Sequence, residues 1–481
     1  MRENALCALA AGAASATMGW LGLYGFGWND YETEAQPAFG VLTHGHVLEF
    51  LRLAPAYGGS LVERAPFALL PGLWGGGQLA VYRMVALPCL LAAAALGVWL
   101  CARMRAAGRP PLWQAVVLGV CVLNPLTLQA LEFGHPEELL GACLCVAAVL
   151  VASRDRPIWA GVLLGLAIAN KEWALIAAGP VLLALPGSAT GPDDRAGSRV
   201  RVWALAGRRQ IRLLVSTGTM TAIVLAPLVL ASGGGFSGSA QAVAVAPGTL
   251  FQPWQIWWFL GWHGPLVHRF GVAMPGYRTG PAWTGTISHP LIVVVGLGLA
   301  GALWLQRRRR TGTGAIGERD ALLMLALVLL LRCLLDTWDI GYYMLPCLIA
   351  LVSWEALGES RRPPILALAG IVIPWLGLKA LSAHGASPDQ QAALFLAWTL
   401  PLCAGLALRL YAPTVLANQP SAGDRSGGDT PHPPFGQRAR PAGISDTSEL
   451  PPAPSPAGIA LEQRAAQEMT VSSLGSPVST S

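Results

Sequence analysis

Charge is what this sequence has least of: Asp, Glu, Lys and Arg make up 12% of its 481 residues, against 53% apolar residues and a mean hydropathy of +0.50. Soluble domains carry roughly twice that share of charge, so a soluble globular chain is excluded and a polytopic membrane protein is expected. Lysine is nearly missing, present only as Lys171 and Lys379. The net charge of +6 is modest and comes from Arg residues clustered between apolar runs. It therefore speaks for topology and lipid headgroups, and no nucleic-acid partner is expected. A disulfide framework is also missing. The nine cysteines lie in or at the ends of apolar runs, and Cys143 and Cys145 would point about 200° apart on a helix, too far to share a metal. No repeat of 20–50 residues and no pair of matching interrupted helices is visible, which weakens the case for an inverted-repeat transporter. Gly233-Gly-Gly235 precedes no strand–helix pattern, so a nucleotide-phosphate loop is not expected, and neither is any cofactor.

What is present is a succession of apolar runs punctuated by arginine. Ala5 to Phe26 reads as an uncleaved first span, about 20 residues at 1.5 Å each. Residues 79–101 end in a loop with Arg103, Arg105 and Arg109, which the positive-inside rule places in the cytoplasm. Residues 112–131 run outward, Glu132–Glu138 turn, and 139–153 return to Arg154-Asp-Arg156. The block 157–186 is too long for one span and has basic flanks on both sides, so it should be two short helices meeting at Asn170-Lys-Glu-Trp173. Further spans are expected at 213–231, 288–306, 321–335, 340–357, 364–383 and 393–412. The sum is an all-α polytopic membrane protein of about 12 transmembrane helices, occupying residues 1–412 in the cell (plasma) membrane with both termini cytoplasmic. The tail 413–481, rich in Pro, Ser and Ala, is expected to be disordered.

This topology gathers the unusual polar residues on the outer side. Asp30, Glu32 and Glu34 follow directly on the first span. On an extended segment they would share one face, and on a helical turn they would fan apart. Either way one of them is a candidate general base towards a hydroxyl. Lys171, with Glu172 beside it, caps the short-helix hairpin and is a candidate cation for a phosphate-like anion, as are Arg64 and Arg332. Arg332 has a second reading, an i,i+4 ion pair with Asp336. His135, Glu137 and Glu138 form a polar turn without a metal-ligand spacing. Asp339 closes the outer turn Asp336-Thr-Trp-Asp339. The aromatic cluster Phe251–Trp258 reads as an interface belt or as a platform for a sugar or lipid.

The stretch Gly134-His-Pro-Glu-Glu-Leu-Leu140, a span, Arg154-Asp-Arg-Pro157, then Gly161-Val-Leu-Leu-Gly-Leu-Ala-Ile-Ala-Asn-Lys171 resembles the GT-C class of integral-membrane glycosyltransferases. It is most similar to bacterial polyprenyl-phosphate-mannose-dependent mannosyltransferases, over about Ala5 to Pro186. The resemblance implies transfer of a sugar from a polyprenyl-phosphate donor to a hydroxyl of a lipid or glycan acceptor on the outer face, with inversion. It implies Asp30 as general base, with Glu32 or Glu34 as the fallback. Lys171 and nearby groups, Arg64, His135, Glu138, Glu172, Arg332 and Asp339 among them, would bind substrate, and no metal is implied. The alternative reading of the same outer charges is a transporter or lipid flippase.

Overall fold

The computed structural model describes residues 2–22, 30–54, 58–186, 196–232, 251–263, 267–269, 272–311, 314–358, 362–381 and 383–412. All of them fall in the compact unit Met1–Gln419; the tail 413–481 and the Gly233–Gly235 run lie outside the described residues. The fold is helical, with one short antiparallel ribbon of Val267–Arg269 against Val272–Met274.

Among the described residues five helices are long and apolar enough to cross a membrane by length and composition: Gln78–Ala106, Pro111–Phe133, Gly207–Ser232, Ala282–Arg310 and Pro388–Tyr411. This is fewer than the twelve expected from hydropathy. Several expected spans are shorter apolar helices, among them Pro157–Asn170, Glu172–Ala184 and Ile365–Trp375. Residues 112–131, expected as one helix, are two segments, Pro111–Val122 and Pro125–Phe133. Pro125 has no N–H and holds Asn124 extended, and the Asn124 side chain then caps the second segment by accepting from the Thr127 amide at 2.9 Å. The expected hairpin at 157–186 is present: helix Pro157–Asn170 stops at an extended Lys171, and a 3₁₀ turn, Glu172–Ala177, leads into Ala178–Ala184.

The helices alternate in direction, and their ends separate into a basic set and a mixed-charge set. At the basic end Arg103 pairs with Glu318 at 3.2 Å, and Ser153 donates to the same carboxylate at 2.9 Å. The opposite ends carry residues 134–138, 170–173 and 332–339, so these segments meet although they are far apart in sequence. Small residues allow the close approach. Gly161 and Gly165, one turn apart, lie against Ser216 and Thr217 of helix Ala196–Ser232, and a Cβ on either would collide there. Gly134 has φ +93°, open to glycine at no steric cost, and its Cα side faces the Tyr31 backbone. A side chain at 134 would push the first polar stretch away from the His135 turn.

Candidate active site

Asp30 opens a π-helical turn, Tyr31–Ala35, so the three early acids fan around an axis instead of sharing a face. Tyr31 is buried and stacks on Tyr82 at 4.0 Å between ring centres, and the Tyr82 hydroxyl donates to the Leu131 carbonyl. This ring stack and the bare Gly134 fix Asp30 against the turn that follows helix Pro125–Phe133. There the Asp30 Oδ2 meets His135 Nε2 at 3.1 Å, 105 residues away in sequence.

His135 is held at both nitrogens, since its Nδ1 lies 2.9 Å from Glu137 Oε1. Its ring also stacks on Tyr342 at 5.4 Å. Glu137 Oε1 receives Lys171 Nζ at 3.2 Å, and its Oε2 lies 3.2 Å from an Arg64 nitrogen. Arg64 is tied back to its own helix, Gly59–Ala68, by donating from Nε to the Ser60 carbonyl at 2.9 Å. The Asn170 side chain donates to the Glu137 carbonyl at 2.8 Å, which docks the hairpin apex on the start of helix Glu137–Ala152. Lys171 is extended at the helix break and so projects across to that start instead of along its own helix.

Glu138 faces a second partner. Arg332 donates to its two oxygens at 3.2 and 3.4 Å, and Trp173 Nε1 donates at 3.2 Å. The guanidinium lies over Trp173 and Tyr343, 4.8 and 4.6 Å from the ring centres, where the aromatic faces favour a cation. The expected Arg332–Asp336 pair does not form as a contact. The Asp336 amide still donates to the Arg332 carbonyl at the end of helix Glu318–Leu335, but the Arg332 guanidinium is taken up by Glu138, and the Asp336 carboxylate lies 3.7 Å from His289 instead.

Three carboxylates, Asp30, Glu137 and Glu138, thus face three fixed cations, Arg64, Lys171 and Arg332, with His135 in between. Burial by itself would lower the His135 pKa, but the hydrogen bonds to Asp30 and Glu137 outweigh it and raise it to about 9. At neutral pH the imidazolium therefore leaves the cluster with one positive charge in excess. Lys171 behaves alike: burial lowers its pKa, and Glu137 and Glu138 raise it above the ordinary value, so it stays an ammonium. The Asp30 side chain is 39% exposed while its His135 partner is 12% exposed. The cluster is buried and offers one accessible carboxylate.

Of the residues expected at the site, Asp30, Arg64, His135, Glu138, Lys171 and Arg332 come together. Glu32 and Glu34 sit on the π-helical turn beyond Asp30, and Glu172 is exposed next to Lys171. Asp339 is buried in the segment before the 3₁₀ turn Gly341–Met344. Glu137, read from sequence as part of the polar turn with His135 and Glu138 but not among the expected substrate-binding residues, is the hub. Its signal was two adjacent acids opening an apolar helix, where the helix dipole favours negative charge. The aromatic cluster is neither an exposed belt nor an open platform at its centre. Trp258 is fully buried and donates to Asp389 at 2.8 Å, and Trp257 donates to the Leu335 carbonyl at 2.7 Å.

Residues 59–192 match the family model for glycosyltransferase family 87. The match spans rather more than a quarter of the chain and makes it similar to glycosyltransferases over that stretch. The family 87 stretch contains Arg64, His135, Glu137, Glu138 and Lys171, while Asp30, Arg332 and Asp339 lie outside it. The polar cluster is therefore built around the matched segment and completed from both flanks. No curated protein matches the chain.

Proposed function

We propose that the protein is a membrane glycosyltransferase that moves a hexose, mannose-like, from a polyprenyl-phosphate donor to a hydroxyl of a lipid or glycan acceptor on the outer membrane face. The observation that carries the reading is the Asp30–His135 hydrogen bond: a partly exposed carboxylate held at 3.1 Å by a buried, doubly anchored imidazole. The family 87 match supports the reaction class.

In this reading the acceptor hydroxyl approaches Asp30, and its proton passes to the carboxylate as the oxygen attacks the anomeric carbon. The bond from that carbon to the phosphate oxygen breaks on the opposite side, with inversion, and polyprenyl phosphate leaves carrying the electron pair. General-base assistance of this kind contributes roughly 10²–10⁴-fold. His135 fixes the Asp30 carboxylate, Glu137 fixes His135, and the excess positive charge of the cluster stabilises the leaving phosphate. Lys171 is the proposed phosphate contact, because its ammonium is held within the cluster by Glu137 and Glu138, next to the turn that carries His135.

The test is transfer of radiolabelled sugar from polyprenyl-phosphate donors in reconstituted vesicles, comparing wild type with Asp30→Asn, Glu32→Gln and Glu34→Gln. Loss of transfer in Asp30→Asn alone, with donor binding kept, is the expected result. No transfer from any donor, with the three variants indistinguishable from wild type, overturns the reading and favours a transporter or flippase.

A further inference from the structure

Asp339 is 1% exposed, and both its carboxyl oxygens are buried without a hydrogen-bond partner. A buried polar group left unpaired is destabilising, and such groups are rare enough in folded proteins to call for an explanation. Burial, and then the nearby negative charge of Asp336, push its carboxyl well above the usual carboxylate range. It therefore holds its proton to higher pH than an ordinary carboxylate, which favours a form that can donate one hydrogen as well as accept.

Asp339 lines a cleft with Trp254, Trp398, Phe395 and Gln391. We propose that this cleft is a subsite for a neutral pyranose, with the sugar's C–H face on the aromatic rings and its hydroxyls on Asp339 and Gln391. The lining decides the class of ligand. Flat aromatic faces beside an acid and an amide satisfy both surfaces of a sugar ring. A phosphate would find no cation among these residues, and a hydrocarbon tail would leave Asp339 unpaired.

The position of the cleft supports this. The 3₁₀ turn Gly341–Met344 turns Gly341 and Met344 to the cleft, while Tyr342 stacks on His135 and Tyr343 lies against Arg332. One short turn thus separates the sugar subsite from the Asp30–His135 pair. The cleft is narrow and leaves about 20 Å³ free, room for about one water. Its far wall includes Pro374, inside helix Ile365–Trp375, and Gly377, in the π-helical turn Leu376–Leu381. Proline and π-turns are where helices bend, and π-turns recur at functional sites. This is the wall that moves aside for the ring.

The identification of the sugar as a substrate rests on the transferase reading, but binding is tested without it. Methyl α-D-mannopyranoside is titrated into the full-length protein in nanodiscs, without donor, by saturation-transfer NMR and tryptophan fluorescence. Saturable binding is expected in wild type and in Asp30→Asn, weakened about tenfold or more in Asp339→Leu and Trp398→Leu. Because neither Asp339 oxygen has a well-formed hydrogen-bond partner in the free protein, Asp339→Leu should melt close to the wild-type temperature. No glycoside binding, binding unchanged in both variants, or displacement of the sugar by Mg²⁺ would overturn the proposal, as would an Asp339→Leu protein that melts well below wild type. Transfer by wild type without glycoside binding sinks the subsite and leaves the transferase. Binding without transfer from any donor sinks the transferase and leaves a sugar site.

Discussion

Arginine pairs with carboxylates at both ends of the helices, but the two sets of pairs differ sharply in burial. At the basic end Arg103 and Glu318 are 41% and 22% exposed. At the mixed-charge end Arg64 and Glu137 are 2% and 3% exposed, and Arg332 and Glu138 are 5% and 3% exposed. Distances do not distinguish them, since all three pairs close at 3.2 Å. Energetics do. An exposed pair contributes about 0–1 kcal/mol and is screened by salt, whereas burying each ion costs several kcal/mol that attraction repays only with good geometry. The basic end carries charge for orientation. The buried end carries charge that folding alone would not favour, and its one accessible carboxylate, Asp30, is where that arrangement opens outward.

The strongest way to break this contrast is to separate reactivity from stability within the buried end. Asp30→Asn should lower transfer roughly 10²–10⁴-fold while lowering the melting temperature less than the loss of a buried pair does, because its side chain is 39% exposed and only its hold on His135 is weakened. Transfer kinetics with a melting curve on the same preparation would check it. Arg332→Met should act the other way round, through stability. It leaves the buried Glu138 with only the more distant Lys171, 4.0 Å away, to match its charge, a loss of up to about 3–5 kcal/mol, read as a lower melting midpoint in detergent. Adding Glu138→Leu removes the stranded charge and should restore most of the midpoint. If single and double variants melt alike, the pair is not what holds helices Glu318–Leu335 and Glu137–Ala152 together.

The sequence made the buried end only partly legible. The hairpin break at Asn170-Lys171 followed from charge bookkeeping, since basic flanks on both sides of an overlong apolar block require the chain to turn back, and the structure ends a helix there. Asp30, Arg64, Lys171 and Arg332 stood out because ionisable residues beside apolar runs are costly to keep. Their pairings were not legible. His135 meets Asp30 across 105 residues and Arg332 meets Glu138 across 194, and spacing in one chain reports only local neighbours. The same limit offered Asp336, the nearest acid in sequence, as the second reading for Arg332, where the structure pairs it with Glu138. Hydropathy also did not show where spans are interrupted, because it registers apolar length and not where Pro125 or an extended Asp336 breaks a helix. Asp339 was visible as an acid in an outer turn; that it is buried without a partner is a fact of packing.

His135 offers a graded test of the contrast. Its pKa is raised to about 9, above the ordinary value of about 6.5. The stabilisation from holding its proton is therefore fully present below about pH 6.5 and is lost as the pH rises through 9, up to about 3 kcal/mol in all. Wild type should lose melting temperature between pH 7 and 10, and His135→Gln should flatten that dependence. A profile that is equally steep in both would place the titrating group elsewhere.

The smallest effect belongs to the exposed end. Glu318→Gln removes the partner of Arg103 and should cost less than about 1 kcal/mol, with a weak salt dependence. Transfer should be unchanged, because Glu318 lies at the helix end opposite Asp30 and no residue of the cluster touches it among the described residues. Should Glu318→Gln instead lower transfer as Asp30→Asn does, the two ends are coupled through helix Glu318–Leu335. That helix carries Glu318 at one end and Arg332 in its last turn, so the buried charge would then answer to the exposed charge along its axis.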